Sequence, residues 1–180
     1  MSALKTAYAS APVNAVVLQT IEFHHQAFTD ENGINRPFRF VSSSDSLTPV
    51  NCPLEKSAPV DGGKTVNFDP APLAITDPTI NDNGYADLQI TLGDITMDVE
   101  EQLDRAVSSP GELKTYYRLY LLDVDTGKVT GPENVPFQWS LQGARCQDGQ
   151  ITATATIVDI VNRPFPYYLY TPAFAPGLVR

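Results

Sequence analysis

Apolar and polar residues alternate along much of the chain, which indicates β-strands. Residues 14–23 are dense in β-branched and apolar side chains, and residues 37–42 form a second short apolar run. Both segments fit strands. Between them lies the pair Asn32-Gly33, whose residue types supply the backbone angles of a tight turn. We therefore expect a β-hairpin near the start of the chain.

The middle of the chain changes from a period of two to a helical period. Residues 86–92 alternate cleanly, which predicts a half-buried strand with its leucines and isoleucine inward. Asp94 is a plausible N-cap, and the apolar residues that follow are spaced as on one helical stripe. One short α-helix near 95–107 is therefore expected. Its acidic residues suit a solvated face and the positive end of the helix dipole, so they require no catalytic role.

Three further strands are predicted after the helix, at 113–124, 136–145 and 151–161. The segments 125–128 and 148–149 between them have the composition of hairpin turns. The strands therefore read as an antiparallel meander. Together with the first hairpin they predict a mainly β fold, antiparallel and either β-sandwich or split-barrel-like.

Proline and glycine shape the rest of the chain, with 15 and 11 among 180 residues. Residues 42–85 are rich in serine, proline and aspartate, so we expect long loops and short edge strands there. Loops of that length tend to be functional or to order against a partner, which favours an assembly component. The length suits a single domain over residues 1–180.

A C-terminal arm, residues 163–180, combines prolines with aromatic residues. The prolines prevent a central strand, while the aromatic rings require burial against the same domain or a neighbour. This predicts an interface formed by Arg163, Phe165, Tyr167, Tyr168, Tyr170 and Phe174.

The formal net charge of −9 excludes generic binding to nucleic acid or to an anionic membrane, because both need basic patches. The first 19 residues lack a basic region followed by an unbroken apolar core, so neither a secretory signal nor a membrane span is expected there. The chain is accordingly predicted to be soluble, with no membrane partner and no sequence-specific nucleic acid.

Candidate chemistry is sparse. The signatures G-x-S-x-G, HExxH, G-x-x-x-x-G-K-[ST] and G-x-G-x-x-G are all missing. The histidines, His24 and His25, are adjacent and would point to opposite faces of a strand, so solvent-exposed strand-end histidines are favoured over a metal site. Cys52 and Cys146 lack metal-binding spacing and are predicted to be reduced and packed. We expect no catalytic residue, no cofactor and no metal, and hence a protein that is not an enzyme.

Calcium binding is the strongest alternative among the metal ions. The acidic segment 123–133 faintly resembles a calcium-binding loop, but its glycine and terminal glutamate come too early and no helices flank it. A hairpin turn is the favoured interpretation. The acidic clusters at 30–33 and 81–84 likewise have residue types that turns select for backbone reasons.

Three features occur together in order. An Ala-rich turn precedes the strand ending Ile21-Glu22-Phe23, and the strand 88–92 leads through the acidic helix to the strand 119–123. The terminal residues include Asn162-Arg163-Pro164-Phe165-Pro166, Tyr170-Thr171-Pro172, Phe174 and Pro176-Gly177-Leu178. From Leu4 to Leu178 the chain thereby resembles a family of short proteins of long-tailed phages and prophages, catalogued as a domain of unknown function and found among tail genes.

The resemblance implies a structural protein of the tail tip of a siphophage. A distal tail or baseplate protein of this kind forms a six-fold ring that joins the tail tube to the hub. The implied partners are further copies of the chain, the tail tube protein, the tape-measure protein and the baseplate hub proteins. The implied location is the virion, after assembly in the cytoplasm of the bacterial host.

Two alternatives stay open at this point. One is another tail ring protein with a completion, terminator or tube role. The other is a module that binds carbohydrate on the host surface, in which Tyr167, Tyr168 and Tyr170 would stack on sugar rings.

Overall fold

An open β-sheet of ten strands forms the framework of the protein. The structure is a computed structural model that describes residues 14–30, 33–42, 48–80, 86–93, 97–136, 138–147 and 150–156. Its elements are β1 (Ala15–His24), β2 (Phe38–Ser42), β3 (Val50–Pro53), β4 (Thr65–Ala71), β5 (Leu73–Ile80), β6 (Ala86–Leu92), α1 (Met97–Ser108), β7 (Lys114–Asp123), β8 (Lys128–Thr130), β9 (Gln138–Gln147) and β10 (Gln150–Thr156).

The strands follow the order β3-β4-β2-β1-β7-β9-β10-β6-β5, and β8 pairs with β7 beside this path. All pairs are antiparallel except β2 with β4. The predicted class is confirmed, because the fold is mainly β with a single short helix among the described residues. No helix in the described part of the chain is long and apolar enough to cross a membrane.

The predicted strand pairs are confirmed where the structure describes them. β1 and β2 form the antiparallel hairpin, with Ile21 opposite Phe40. β7, β9 and β10 lie side by side as the meander. The predicted strand at 151–161 is described only to Thr156, and the proposed N-cap Asp94 lies outside the described residues.

A first core covers one face of the sheet. The strand positions that alternate toward this face include Ile21 and Phe23 of β1, and α1 adds its apolar stripe. The alternation predicted for β6 is confirmed, since Leu88, Ile90 and Leu92 are buried. The other members of this core include Phe28, Phe40, Val99, Leu103, Ala106, Tyr117, Trp139 and Ile151.

A second core lies on the opposite face, where residues 48–71, here called the β3–β4 layer, pack on β1, β2 and β7. It contains Leu18, Val41, Cys52, Leu54, Phe68 and Tyr120. The Tyr120 hydroxyl donates a hydrogen bond to the Pro53 carbonyl at 3.1 Å. Cys52 is a buried thiol without a disulfide, and burial raises its pKa to about 12. The side chain of Cys146 is outside the described part of the chain.

The short edge strands expected across 42–85 are confirmed, since β3 and β5 end the strand order, while the loops are less extensive than expected. This region contains β3, β4 and β5, and the connection between β3 and β4 folds into hydrogen-bonded turns. The apolar residues of β3, β4 and β5 are few and interrupted by prolines, so the full extent of these strands was not predictable from alternation. They become strands by pairing with each other and with β2 and β6.

Candidate functional site

The main concentration of charge in the described structure lies on the face of the second core. Alternation along β1 places Glu22 on this face, beside Arg39 of the neighbouring strand β2. Strand β7 adds Arg118, and the β3–β4 connection adds the two remaining carboxylates. We call this set the ionic cluster: Glu22, Arg39, Glu55, Asp61 and Arg118.

Arg118 is the centre of the ionic cluster, and its side chain is fully buried. Its Nε and Nη2 donate hydrogen bonds to the two carboxylate oxygens of Glu55 at 2.9 and 2.8 Å. Its Nη1 donates to Glu22 Oε2 at 2.5 Å. The guanidinium carbon also lies 5.5 Å from the centre of the Tyr116 ring. The planar fork of arginine suits this two-point contact, and here it ties the β3–β4 connection to the sheet.

The outer part of the ionic cluster continues through Arg39. Its Nε donates to Glu22 Oε1 at 2.9 Å, and its Nη2 donates to Asp61 Oδ2 at 3.2 Å. Asp61 also accepts a hydrogen bond from Lys64 at 3.0 Å. With Lys64 counted, three carboxylates face three permanent cations. The charges thus balance within the subunit.

The protonation state of Glu22 limits what the ionic cluster can do. Burial alone would raise the pKa of Glu22, but the contact with His24 and the positive charges of Arg118 and Arg39 outweigh burial and hold that pKa below its ordinary value. His24 Nε2 lies 3.2 Å from Glu22 Oε1. A carboxylate held ionised in this way is a poor proton donor at neutral pH. The arrangement therefore suits a structural clamp and not acid catalysis.

The lowered pKa of Glu22 predicts a pH dependence of stability. Because the folded protein favours the ionised form, the stabilisation is complete above the ordinary glutamate pKa of 4.5 and is lost as the pH falls through the lower folded value. At pH 7, Glu22→Gln should lower the free energy of unfolding by about 2 kcal/mol, since Arg118 keeps Glu55 as a partner.

Urea unfolding of both proteins between pH 3 and pH 7 measures this effect. The difference in free energy between wild type and Glu22→Gln should shrink below about pH 4.5. A difference that stays constant down to pH 3 would contradict the assignment of Glu22 as an ionised partner.

A cavity of about 350 Å³ adjoins the ionic cluster at the end of β1. Both histidines line it, and the expectation that they are solvent-exposed is wrong, because His25 is only 6% exposed and the side chain of His24 only 15%. His25 packs against Phe28 of the first core, while His24 contacts Glu22, so the two do reach opposite faces as predicted. The remaining lining residues are Gln26, Asn35, Gly111, Glu112 and Lys114.

The ring nitrogens of His25 differ in their contacts. Its Nδ1 accepts a hydrogen bond from the backbone N–H of Ala27 at 3.1 Å, whereas its Nε2 is buried with no hydrogen-bond partner among the described residues. Gly111 covers this nitrogen: a Cβ at Gly111 would lie 2.8 Å from Nε2, and the residue has a φ of +142°. The histidine is therefore packed under the 110–112 turn.

Gly111→Ala should destabilise the protein by about 2–3 kcal/mol, because it adds a steric clash to an unfavourable backbone angle. Gly127→Ala is the matched control, since Gly127 has a φ of +66° but a Cβ added there would meet no atom within 4 Å. The control should lose only about 1–2 kcal/mol. Thermal unfolding of both variants gives the comparison, and equal losses would show that His25 is not confined by Gly111.

The acidic segment at 123–133 contains a hairpin turn, residues 124–127 between β7 and β8, as the sequence favours. Asp123 Oδ1 accepts hydrogen bonds from the backbone N–H groups of Asp125 and Thr126 at 3.0 and 3.2 Å. Its oxygen thus organises the turn between β7 and β8. Within the described ranges, no three His, Cys, Asp or Glu side chains are grouped so that they could hold a metal ion.

Comparison with known proteins adds a family. A family model described as a domain of unknown function, DUF1833, matches residues 3–170. The chain belongs to the DUF1833 family. No curated protein matches it. This membership agrees with the resemblance in one respect: both identify a family that is catalogued as a domain of unknown function.

The six predicted interface residues of this DUF1833 protein lie outside the described residues. They are Arg163, Phe165, Tyr167, Tyr168, Tyr170 and Phe174. The ionic cluster, in contrast, was missed by the reasoning from sequence. One signal could have revealed it: Arg118 interrupts a strand that is apolar or aromatic on both faces, and Glu22 does the same in β1. Charges buried in such strands require partners.

Proposed function

We propose that this DUF1833 protein is a structural subunit of a phage tail tip, a distal tail or baseplate protein that assembles as a ring between the tail tube and the hub. The observation that carries the proposal is the open sheet. Within the described residues, β3 pairs only with β4 and β5 pairs only with β6. The described sheet therefore ends in two unlike strands, and a ring needs two unlike surfaces that meet head to tail.

The ionic cluster supports a role as a rigid building block. Arg118 ties the β3–β4 layer to the sheet through Glu55 and Glu22, so the end strand β3 is held in a fixed position relative to β1 and β7. A preorganised edge loses less entropy when a partner docks. The same pairing keeps Glu22 ionised, which is consistent with our proposal that the protein is not an enzyme.

The partners follow from the proposed position. Copies of the chain form the ring, and the tail tube, tape-measure and hub proteins contact it. Residues 163–177 are the proposed arm to a neighbouring subunit or to the hub. No cofactor is required for this role. A net charge of −9 per subunit also disfavours trapping of DNA that passes a ring of such subunits.

Purified tailed particles provide the test. Particles would be prepared from cells that carry this gene in its phage or prophage, and an antibody against the protein would be located on them by electron microscopy. We expect labelling at the tail tip and the protein in the particle fraction by mass spectrometry. Labelling at the head-to-tail junction or along the tube would instead support a completion, terminator or tube protein. Absence from purified particles would reject every tail role.

A further inference from the structure

A groove of about 670 Å³ opens at one end of the sheet, where β1, β5 and β10 begin and where β2, β4 and β6 end. Leu18, Ala71 and Leu73 form its buried floor. Val16, which is 45% exposed, and Ala74, which is exposed, lie on its rim. The groove is a concave and largely apolar surface of the size of ligand pockets.

None of the described residues that line this groove carries a charge. This is unusual for a chain with 12 basic and 21 acidic residues. The C-terminal arm has the same property: residues 164–177 contain five aromatic residues and four prolines but no charged side chain. An apolar, uncharged segment suits a groove whose described lining is largely apolar and uncharged, because none of these residues has to desolvate a charge when they meet.

β10 leads away from the groove. It begins at Gln150, which lines the groove, and ends at Thr156, the last described residue before the arm. Six steps along a strand cover about 20 Å, so the described chain ends at the end of the sheet opposite the groove. A groove at one end of the sheet and a chain that continues toward the arm from the other end suit a head-to-tail contact between two copies.

We propose that the groove receives the aromatic arm, residues 163–177, of a second copy of this chain. The inference rests on the proposed function and specifies its contact between subunits. Because prolines lack a backbone donor, the arm docks through its side chains and does not extend the sheet. Repetition of this contact by a rotation closes a ring.

Cross-linking of full-length protein tests which segment occupies the groove. Cys146→Ser removes one native thiol, and Cys52 stays because it is buried. Ala74→Cys is then combined with a cysteine at Phe165, Tyr168, Tyr170 or Phe174, one at a time, and treated with a short bis-maleimide. We expect covalent multimers from at least one pair. Val135→Cys, at a position 69% exposed and outside the groove lining, is the matched control and should give monomers.

The same cross-linking experiment identifies other segments that could occupy the groove. A monomer cross-linked within itself would show that the arm folds onto its own groove. Cross-linking of Ala74→Cys with Leu4→Cys, and not with any arm position, would show that the N-terminal segment fills it. Either result, or no cross-link at all, overturns the proposal.

The effect of an introduced charge on self-association provides a second, independent test of the groove. Val16→Glu should weaken self-association of the full-length protein about tenfold or more by sedimentation, since docking would bury an unpaired carboxylate. Val135→Glu should associate as wild type does, and both variants should keep the wild-type thermal unfolding. Unchanged association of Val16→Glu would overturn the groove assignment.

Failure of this inference is distinguishable from failure of the tail role. If Val16→Glu protein enters tailed particles normally and the cysteine pairs give no cross-links at the groove, the groove contact is rejected and the tail role stands. Protein absent from particles would reject the tail role whatever the cross-links show.

Discussion

Arg118→Met is expected to lower the free energy of unfolding by about 3–5 kcal/mol. The substitution keeps an apolar stem of similar length but leaves Glu22 and Glu55 without the guanidinium that pairs them, and Arg118 is fully buried. Removing one partner of a buried ion pair is costly because an uncompensated charge remains in a poorly solvated place. Urea unfolding at pH 7 measures the loss.

Arg105→Met is the matched control for this prediction. Arg105 forms an exposed pair with Glu101 one helical turn away in α1. Such pairs contribute little, so the control should change stability by less than about 0.5 kcal/mol. Adding Glu22→Gln to Arg118→Met should cost less than Glu22→Gln costs alone, because the charge it removes is already unpaired. If Arg118→Met loses no more than the control, the ionic cluster is not a clamp.

Phe68→Ala is expected to destabilise the protein by a similar amount, about 3–5 kcal/mol. Phe68 is fully buried in the second core, and its ring centre lies 6.2 Å from that of Tyr120. The loss combines transfer of the ring to water with the cavity left between the β3–β4 layer and the sheet. Were residues 48–71 the loose loops that their composition suggests, the same substitution would have little effect.

Two further variants provide the scale for the loss of stability expected in Phe68→Ala. Phe68→Leu keeps much of the buried volume and should lose about 1.5 kcal/mol. Val135→Ala removes an exposed side chain and should be near neutral. Calorimetry of the three proteins should also show a single transition, since the two cores share β1, β2 and β7. Two separate transitions would mean that the β3–β4 layer unfolds on its own.

The strands with clear alternation were predictable from sequence because their burial is one-sided. Leu88, Ile90 and Leu92 sit at every second position, and the pleat of a strand places such residues on one face wherever the strand lies in the sheet. The stripe of α1 follows in the same way from its 3.6-residue period. Local pattern and local geometry suffice for these elements.

The β3–β4 layer and the environment of His25 were not predictable in this way. Phe68 and Cys52 have few apolar neighbours in sequence, and their burial comes from a sheet face built by β1, β2 and β7. His25 looks like an exposed residue at the end of a strand until Gly111 covers it. In both cases the covering atoms come from distant parts of the chain.

The sequence by itself determined the mainly β class, the strand pairs of the first hairpin and the meander, the short helix and the uncharged aromatic arm. These depend on periodicity, turn chemistry and composition, which are properties of neighbouring residues. Only the tertiary structure decided that Glu22 and Glu55 pair with the buried Arg118, and that a groove with no charge among its described lining residues lies at one end of the sheet. Arg118 is 96 residues from Glu22 and 63 from Glu55. Contacts over such separations depend on strand order, which is fixed by the packing of the whole chain.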